Sequence, residues 1–466
     1  MKRFNQLHRR DFLTTSATAA AALTAAYLPA QDKADKLRIG CIGTGGRGTY
    51  ISGFAARFGE AVMICDTDLR HAENVKKHLK TDKALVCQDY RQVLDRKDVD
   101  VIINGTPDHW HTKIIAEACL AGKDVYSEKP MTLTIDEGKL LRNVVKETKR
   151  IVQIGTQQRT SAQFQTAIEL IRNGRIGKIK TVYVSIPYYQ TKGGPFPKQD
   201  VPKELNWDLF QGQAPEAPYC DARTNRWRLW YDYSGGNITD WGNHHTDICL
   251  WGLNAEHTGP LSVDARALFP NGGKADCYST PGAFFSRMKF ADDVEVLFFS
   301  ELGAEWKKVK EGKPSEFTAE RFDYLFGKDC PDEVKETDRD GLMFIGEKGR
   351  IFVNRGGCYG KAVDELKDNP LPENAWHTAF RVPGIRDIGD STGRHIHNFF
   401  DTVRSREQPA ASVDIEQRAV TLCHLTNISI RTGRKIQWNP ETEQITGDDE
   451  ANVMQKRKQR EPYTIS

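Results

Sequence analysis

The stretch Leu37-Arg38-Ile39-Gly40-Cys41-Ile42-Gly43-Thr44-Gly45-Gly46-Arg47-Gly48 joins a short apolar run to a glycine-rich turn, and it decides the fold. An apolar run of this length that stops at glycine predicts a buried β-strand, and we expect a helix from the turn through about Phe58. Glycines at these spacings permit a tight turn, close approach of the backbone to a pyrophosphate and close packing of helix on strand. Because a helix N-terminus attracts an anion, the stretch predicts a dinucleotide-binding turn.

An acidic residue supports this interpretation. A second apolar run, from Ala61 to Cys65, ends in Asp66. A carboxylate at that point hydrogen-bonds the adenosine ribose hydroxyls and repels a 2′-phosphate, so NAD is favoured over NADP. Arg70 is close enough in sequence to weaken this preference, which leaves NADP as the alternative cofactor.

Short apolar runs and helical stretches alternate up to about residue 158, which predicts parallel strands joined by crossover helices. Polar loops follow two of these strands, at Thr106-Pro107-Asp108-His109-Trp110-His111 and at Gly155-Thr156-Gln157-Gln158-Arg159. The two histidines suggest a metal, but no third ligand is near, so a pocket wall or a helix start is favoured. The cofactor contacts predicted at this edge of the sheet are Gly43, Gly45, Gly46, Arg47, Gly48, Asp66, Thr106, Pro107, His109, His111, Glu128 and Gln157.

The stretch Asp124-Val125-Tyr126-Ser127-Glu128-Lys129-Pro130 is a short strand that ends in an acid, a base and a proline. A lysine at the carboxyl end of a strand in such a fold stands where reacting groups are held. Thr134 and Glu137 predict a capping box, which confines Lys129 to a short, stiff connection. We interpret Lys129 as facing a nicotinamide ring. The alternative is a solvated lysine paired with Glu128, which the isolated stretch favours and the flanking motifs disfavour.

From Ile179 onward the periodicity is that of a sheet. We predict strands over Ile179 to Ile186, Leu261 to Phe269, Phe284 to Phe290, Val294 to Phe299 and Gly349 to Val353. This pattern indicates a C-terminal α/β domain with a largely antiparallel, open sheet covered by helices on one face. Late helices near His395 to Val403 and Asp414 to Thr432 are expected to pack back onto the first domain. The predicted limits are 36–158 for a Rossmann NAD-binding domain, 159–440 for the second domain and 441–466 for a polar tail.

The connection at residues 187–236 is rich in Pro, Gly, Trp and Tyr and is too long to be passive. We expect it to shape a substrate pocket. Its aromatic cluster of Trp227, Trp230, Tyr231 and Tyr233 suits the apolar faces of a sugar ring, and core packing is the alternative.

A second constellation is Asp240-Trp241-Gly242-Asn243-His244-His245-Thr246-Asp247. If a helix begins near Asp240, then Asp240, His244 and Asp247 share one face. Two carboxylates that bracket a histidine need partners when buried, and a histidine so placed exchanges protons near neutral pH. A hydrogen-bonded structural pair is the main alternative, and a metal site ranks below both.

These ordered motifs resemble the Gfo/Idh/MocA family, the glucose-fructose oxidoreductases and inositol dehydrogenases, over almost the whole chain after residue 30. The chain looks most similar to a twin-arginine-exported bacterial branch that also carries the doubled His244-His245. The resemblance implies a Rossmann domain, a C-terminal α/β domain whose open sheet serves as an oligomer face, and a sugar or cyclitol substrate between them. It places the family's catalytic groups at Lys129, Asp240 and His244 and implies a homo-oligomer, a dimer or tetramer.

We therefore expect an NAD(P)-dependent oxidoreductase that moves a hydride to or from a secondary hydroxyl of a sugar, glycoside or cyclitol, with tightly bound NAD. His244 takes the hydroxyl proton, Lys129 stabilises the charge on the oxygen and Asp240 holds the substrate. The further substrate contacts are predicted at Arg159, Tyr231, His245 and Asp247. The alternatives are a glycosidase that oxidises its substrate transiently with the same NAD, and a noncatalytic sugar-binding protein.

Composition and charge limit the other classes. The 466-residue chain has 39% hydrophobic and 28% charged residues, which excludes a polytopic membrane protein. Its net charge is +3, all of it contributed by residues 1–30, so a chain that starts after them is neutral and neither nucleic acid nor an anionic membrane is expected as a partner. The ten cysteines are scattered and predict neither a disulfide framework nor a zinc site.

Residues 1–30 are predicted to be a targeting segment. Arg9-Arg10-Asp11-Phe12-Leu13 precedes a weakly apolar stretch rich in Ala and Thr, which is typical of the twin-arginine signal that exports folded proteins. We expect a periplasmic protein that traps its dinucleotide before export, and an ordinary secretory signal or an uncleaved anchor is the alternative.

Overall fold

The structure is a computed structural model, and it describes residues 36–300, 340–371 and 390–465. The signal segment predicted at residues 1–30 lies outside these ranges.

The first domain is built on a six-stranded sheet in the order β3-β2-β1-β4-β5-β6. The pairs β1/β4, β2/β3, β4/β5 and β5/β6 are parallel, which confirms the predicted Rossmann domain. Because the strand order reverses beside β1, the loops after β1 and β4 open a crevice at the carboxyl edge. The strands are β1 Leu37–Ile42, β2 Gly59–Cys65, β3 Leu85–Cys87, β4 Val101–Asn104, β5 Asp124–Ser127 and β6 Val152–Ile154.

The crossover helices of this domain are α1 Gly46–Ala55, α2 Leu69–His78, α3 Arg91–Leu94, α4 Asp108–Leu120 and α5 Ile135–Thr148. Helix α1 ends at Ala55, short of the predicted Phe58, and α5 begins where expected. The predicted capping box is wrong, however, because the Thr134 hydroxyl makes no capping hydrogen bond. The Glu137 carboxylate instead accepts the Leu133 N–H at 2.9 Å and pairs with Arg457 at 2.7 Å.

The second domain holds a nine-stranded sheet in the order β13-β12-β11-β7-β10-β9-β8-β14-β15. Strands β7 and β10 run parallel, whereas the other neighbouring pairs are antiparallel, as predicted. The strands are β7 Ile179–Ile186, β8 Ser262–Leu268, β9 Ala283–Lys289, β10 Glu295–Ser300, β11 Gly341–Gly346, β12 Gly349–Asn354, β13 Gly357–Tyr359, β14 Ile436–Asn439 and β15 Gln444–Thr446.

Helices cover one face of this sheet. The apolar side chains of β7 alternate, so that Val182, Val184 and Ile186 enter the core with Ile248 and Leu422 from two long helices. The remaining helices are α6 Ala162–Arg172, α7 Trp207–Gln211, α8 Asp221–Asn225, α9 Asn237–Leu253, α10 Lys361–Asp364, α11 Ser391–Ser405, α12 Val413–Thr432 and α13 Asp449–Val453. No helix in the described ranges has the length and apolar character needed to cross a membrane.

The late helices return to the first domain, which confirms the prediction. The Gln153 amide donates to the His395 carbonyl at 2.6 Å, and His395 Nε2 lies 2.8 Å from the Ile154 carbonyl. The polar tail predicted at 441–466 contains β15 and α13, and its end also reaches the first domain, where the Lys113 ammonium donates to the Thr464 carbonyl at 2.8 Å.

Residues 202–228, which we call the strap, lie against the crevice of the first domain. The Leu69 N–H donates to the Glu204 carbonyl at 3.0 Å, and the Asn206 N–H donates to the Thr67 carbonyl at 2.8 Å. Trp230 and Tyr233, just beyond the strap, are buried in an apolar cluster with Phe210 and Tyr219. For these two aromatic residues the core alternative is therefore the correct one.

Candidate active site

A cavity of about 650 Å³ lies between the carboxyl edge of the first sheet and the strap. This volume is within the usual range for a small-molecule site. Nine of the predicted site residues line it: Gly43, Gly45, Gly46, Arg47, Asp66, Thr106, Pro107, Glu128 and Lys129. The opposite wall comes from the strap, including Leu205, Phe210, Tyr219, Trp227 and Arg228.

The glycine turn leaves room for a diphosphate. Gly43 has φ +72°, and a Cβ there would collide with the Thr106 backbone, while a Cβ at Gly48 would overlap the Gly43 carbonyl oxygen. These two glycines are needed for packing. By contrast, no described atom lies within 4 Å of a Cβ built at Gly46, and the nearest to one at Gly45 is His71 Nδ1 at 3.8 Å. The open space borders the start of α1, where the first N–H groups lack intrahelical partners, so the residues fit the phosphates of NAD.

Asp66 stands at the end of β2, where an adenosine ribose is expected. Its carboxylate accepts the Thr44 N–H at 2.7 Å and the Asp68 N–H at 2.9 Å, which fixes its orientation in the cavity wall. His71 Nδ1 lies 3.5 Å away, and its hydrogen bond to Asp66 raises the pKa of His71. Arg70 is the residue that was expected to weaken the preference for NAD. Its guanidinium forms an ion pair with Asp68 at 2.6 Å.

Lys129 does not pair with Glu128. The Glu128 carboxylate accepts from Arg47 Nε at 2.9 Å, whereas the Lys129 ammonium donates to the Asp240 carbonyl at 2.8 Å and forms an ion pair with the Asp240 carboxylate. The side chains of Lys129 and Asp240 are each only 10% exposed. The solvated-lysine alternative is therefore wrong, and Lys129 joins the end of β5 in the first domain to α9 in the second.

Asp240 is the centre of a charged cluster. Besides Lys129, its carboxylate accepts from the Tyr189 hydroxyl and lies 3.1 Å from Arg228 Nε. Burial alone would raise the pKa of Asp240, but the charges of Lys129 and Arg228 hold it well below its ordinary value. Asp240 is therefore an anion at neutral pH.

His244 follows Asp240 by one turn of α9 and is buried. Burial lowers its pKa well below the ordinary value, and the charges of Lys129 and Arg355 lower it further. Its Nδ1 has no hydrogen-bond partner within the described residues. The imidazole is thus neutral at physiological pH, and the same surroundings disfavour its protonated form. His244 is not among the residues that line the cavity, so its role as proton carrier stays a prediction.

His109 and His111 begin α4, which is the helix-start position favoured over a metal site. His109 Nε2 lies 2.8 Å from the Phe210 carbonyl of the strap. Burial lowers the pKa of His109 to about 3, so it stays neutral. His111 bridges the carbonyls of Pro130, at 2.6 Å, and Thr106, at 2.9 Å. Both support the cavity wall from behind.

Other predicted contacts lie outside the cavity lining. The Arg159 guanidinium forms an ion pair with Asp247 at 2.6 Å, and the two side chains are 1% and 0% exposed. His245 Nδ1 lies 3.2 Å from the Gln158 amide, and the Tyr231 hydroxyl donates to Asn427 at 3.0 Å. Gln157 and Gly48 also lie outside the cavity lining. The paired polar side chains among these residues therefore have a structural role that accounts for their position without a ligand.

The structure adds residues that the sequence motifs do not single out. Tyr189 and Arg228 both contact Asp240, and both belong to the 187–236 connection that is predicted only as a whole. Asp108, the first residue of α4, lines the cavity and accepts from the Ser234 hydroxyl at 2.6 Å. Burial raises the pKa of Asp108 to about 7, against the lowering effect of Arg228. Asp108 lies in the polar loop after β4, and this position could have marked it as a cavity residue from the sequence.

Three features of this cavity define a dinucleotide-dependent oxidoreductase. They are the open glycine turn after β1, the fixed carboxylate of Asp66 after β2 and the buried Lys129 after β5. Residues 37–156 match the family described as "Oxidoreductase family, NAD-binding Rossmann fold", and residues 178–298 and 383–465 match its C-terminal α/β domain. The chain belongs to the Gfo/Idh/MocA oxidoreductase family, and its first domain is an NAD-binding Rossmann domain.

Similar proteins fall into two groups. A glycosyl hydrolase family 109 protein from Shewanella pealeana is 24% identical over 263 residues, which are 50% of this chain and 53% of the relative. A family 109 protein 2 from a Shewanella species, strain ANA-3, is 30% identical over 252 residues, 48% of this chain and 50% of the relative. The chain thus spans about half the length of the curated relatives it matches.

Solved structures share the fold. The WlbA dehydrogenase from Bordetella pertussis, in complex with NADH and UDP-GlcNAcA, has a TM-score of 0.59 at 19% identity, over 88% of this chain and 99% of that one. A levoglucosan dehydrogenase in complex with NADH and levoglucosan has a TM-score of 0.58 at 16% identity, over 86% and 99%.

Proposed function

We propose that this protein catalyses reversible hydride transfer between NAD and a secondary hydroxyl of a sugar, glycoside or cyclitol. The observation that carries the proposal is the buried ion pair of Asp240 with Lys129, which itself lines the dinucleotide cavity. Dehydrogenases of the same fold in complex with levoglucosan and with UDP-GlcNAcA support a sugar-type substrate.

When bound, NAD supplies the hydride acceptor. The chain contributes the polar groups around the reacting hydroxyl. Lys129 donates a hydrogen bond to the substrate oxygen and stabilises negative charge that develops there. Asp240, kept ionised by its two cationic neighbours, accepts a hydrogen bond from a substrate hydroxyl. His244, kept neutral by burial, takes the hydroxyl proton.

Lys129→Ala tests this assignment. Removing the donor should lower kcat for oxidation of the best substrate from a panel of sugars, glycosides and cyclitols by about a hundredfold or more. NAD affinity, measured by fluorescence titration, should stay within a few-fold because the glycine turn and Asp66 are unchanged. Lys180→Met is the matched control, since Lys180 is paired with Glu347 on the surface of the second domain. A Lys129→Ala enzyme with wild-type kcat would contradict the proposal.

The similarity to glycosyl hydrolase family 109 proteins favours one second candidate. In it, transient oxidation of a ring hydroxyl acidifies the neighbouring C–H, elimination breaks the glycosidic bond, and the hydride returns to the product. The same residues serve both reactions. Aryl glycosides incubated without added NAD distinguish them, because net aglycone release with no net change in NADH absorbance indicates the glycosidase.

The strap supports tight cofactor binding, because it lines the wall opposite the glycine turn and is joined to the end of β2 by backbone hydrogen bonds. Release of NAD from natively purified protein, measured by mass spectrometry after extensive dialysis, tests this. A protein that loses its nucleotide on dialysis would contradict it.

We also propose export by the twin-arginine route and homo-oligomer formation. Arg9→Lys together with Arg10→Lys should retain the protein in the cytoplasm, which cell fractionation detects. Sedimentation analysis of the exported protein measures its assembly state.

A further inference from the structure

Arg228 is placed to recognise a substrate group. It lies in the short turn Trp227–Leu229, lines the cavity and has a side chain that is 37% exposed. Its Nε is 3.1 Å from the Asp240 carboxylate, and its guanidinium carbon is 4.1 Å from the centre of the Trp227 ring. The Asp240 charge and the Trp227 ring thus orient the guanidinium within the cavity.

The other edge of the guanidinium is available. Among the residues that the structure describes, Asp240 is the only carboxylate paired with Arg228, and the contact is made through Nε. The two terminal nitrogens therefore carry donors without a described protein acceptor, in a planar arrangement that matches a carboxylate. A fork that is oriented by stacking and left unpaired within a ligand cavity is a built recognition element.

The charges at this end of the cavity do not balance. Lys129 and Arg228 both face Asp240, so two cations share one ionised carboxylate. Asp108 is the other carboxyl group close to Arg228, and burial raises its pKa to about 7, so it compensates for only part of the excess at neutral pH. A neutral sugar would leave the excess positive charge in place, whereas a substrate carboxylate would neutralise it.

We propose that the substrate is an acidic sugar of the uronate class and that the unpaired edge of Arg228 binds its carboxylate. This inference rests on the proposed function and names the substrate class for the same site. Lys129 and Asp240 then hold the reacting hydroxyl, and Arg228 determines specificity by fixing the ring relative to them. A carboxylate fits better than a phosphate, because the planar fork of donors matches two coplanar oxygens.

The probes are D-glucuronate, D-glucose and D-glucose 6-phosphate, added to the NAD-loaded protein. Binding is followed by tryptophan fluorescence, to which Trp227 beside Arg228 should respond, and turnover by NADH formation. Glucuronate should bind at least about tenfold more tightly than glucose. Arg228→Gln should lower the ratio of glucuronate to glucose affinity by about ten- to a hundredfold, and Arg228→Lys should lower it by less because it keeps the charge.

Arg226→Gln is the matched control, since Arg226 is exposed on the same segment and outside the cavity lining. It should leave the affinity ratio unchanged, and urea unfolding checks that each variant is folded. Equal loss of glucuronate and glucose binding in Arg228→Gln would overturn the inference, as would tighter binding of glucose 6-phosphate. Turnover of neutral sugars that does not depend on Arg228 would refute this inference and leave the proposed function intact. Glucuronate binding that depends on Arg228 without any hydride transfer would refute the proposed function and leave only the carboxylate-binding role of Arg228.

Discussion

The Lys129–Asp240 ion pair should show strong, asymmetric coupling in a double-mutant cycle. Lys129→Met leaves Asp240 with two partners, Arg228 and the Tyr189 hydroxyl. Asp240→Asn instead leaves the two cations facing each other without a carboxylate between them. We therefore expect the second substitution to destabilise the protein more than the first.

The magnitudes follow from burial. Both partners are 10% exposed, and breaking a buried pair typically costs about 3 to 5 kcal/mol. Lys129→Met should lie near the lower value, because the remaining anion keeps Arg228, and Asp240→Asn near the upper one. The double variant removes both charges of the pair, so its cost should fall at least about 2 kcal/mol below the sum of the single costs.

The free energy of unfolding is measured by urea titration with circular dichroism, and the variants are compared at a common slope. Lys180→Met is the control, because the Lys180–Glu347 pair is about half exposed and should contribute less than about 1 kcal/mol. Single costs that add to the double within about 0.5 kcal/mol would refute the coupling. A milder effect of Asp240→Asn than of Lys129→Met would refute the assignment of two cations to one carboxylate.

Three further predictions concern the cavity walls. Because burial raises the pKa of Asp108 to about 7 from 3.8, the folded protein holds a proton that the unfolded chain has released between these values, and stability contributed by this group is lost as pH rises through that window. The free energy of unfolding of the wild type should therefore fall by roughly 2 to 3 kcal/mol between about pH 5 and about pH 8 because of this group. In Asp108→Asn this fall should be absent, and urea unfolding at several pH values measures it. Gly48→Ala should destabilise the first domain, because its Cβ would overlap the Gly43 carbonyl oxygen, and thermal unfolding measures this. Gly46→Ala should preserve folding yet weaken NAD binding, measured by fluorescence titration, because its methyl group would enter the open space of the turn.

The two glycine predictions share one control. Gly53→Ala places a methyl group on the same helix, 3.5 Å from His78 Nε2, and should change neither folding nor NAD affinity. Wild-type NAD affinity in Gly46→Ala would exclude the turn as the phosphate site. Identical pH dependence of wild type and Asp108→Asn would show that Asp108 is ionised throughout the range.

Local patterns predicted most of the fold. β1 and β7 have the predicted limits, since each is a short apolar or alternating run bounded by turn residues. The glycine turn was predictable because its chemistry is local, and it lines the cavity as expected. The Thr134 capping box failed for a nonlocal reason. The Glu137 carboxylate is engaged by Arg457, which is remote in sequence.

At the site, too, the sequence could not predict contacts between residues that are remote in the chain. Helical spacing correctly puts Asp240 and Asp247 on one helix, yet Asp240 meets Lys129 while Asp247 pairs with buried Arg159. Spacing along one helix carries no information about which distant element packs against each turn. Arg228 was missed because it lies in an irregular segment without periodicity, where only tertiary structure shows that it contacts Asp240.

The strap also bears on how the protein obtains its cofactor. The Asn206 and Glu204 backbones are bonded to the segment after β2, which ties the strap to the cavity wall and should slow the exchange of a bound nucleotide. A dinucleotide captured while the chain folds would then be a long-lived constituent, present in one copy per chain and regenerated in place. The amount of competent protein would be set by the nucleotide supply at the site of synthesis, because a compartment without free NAD cannot load a chain that arrives empty.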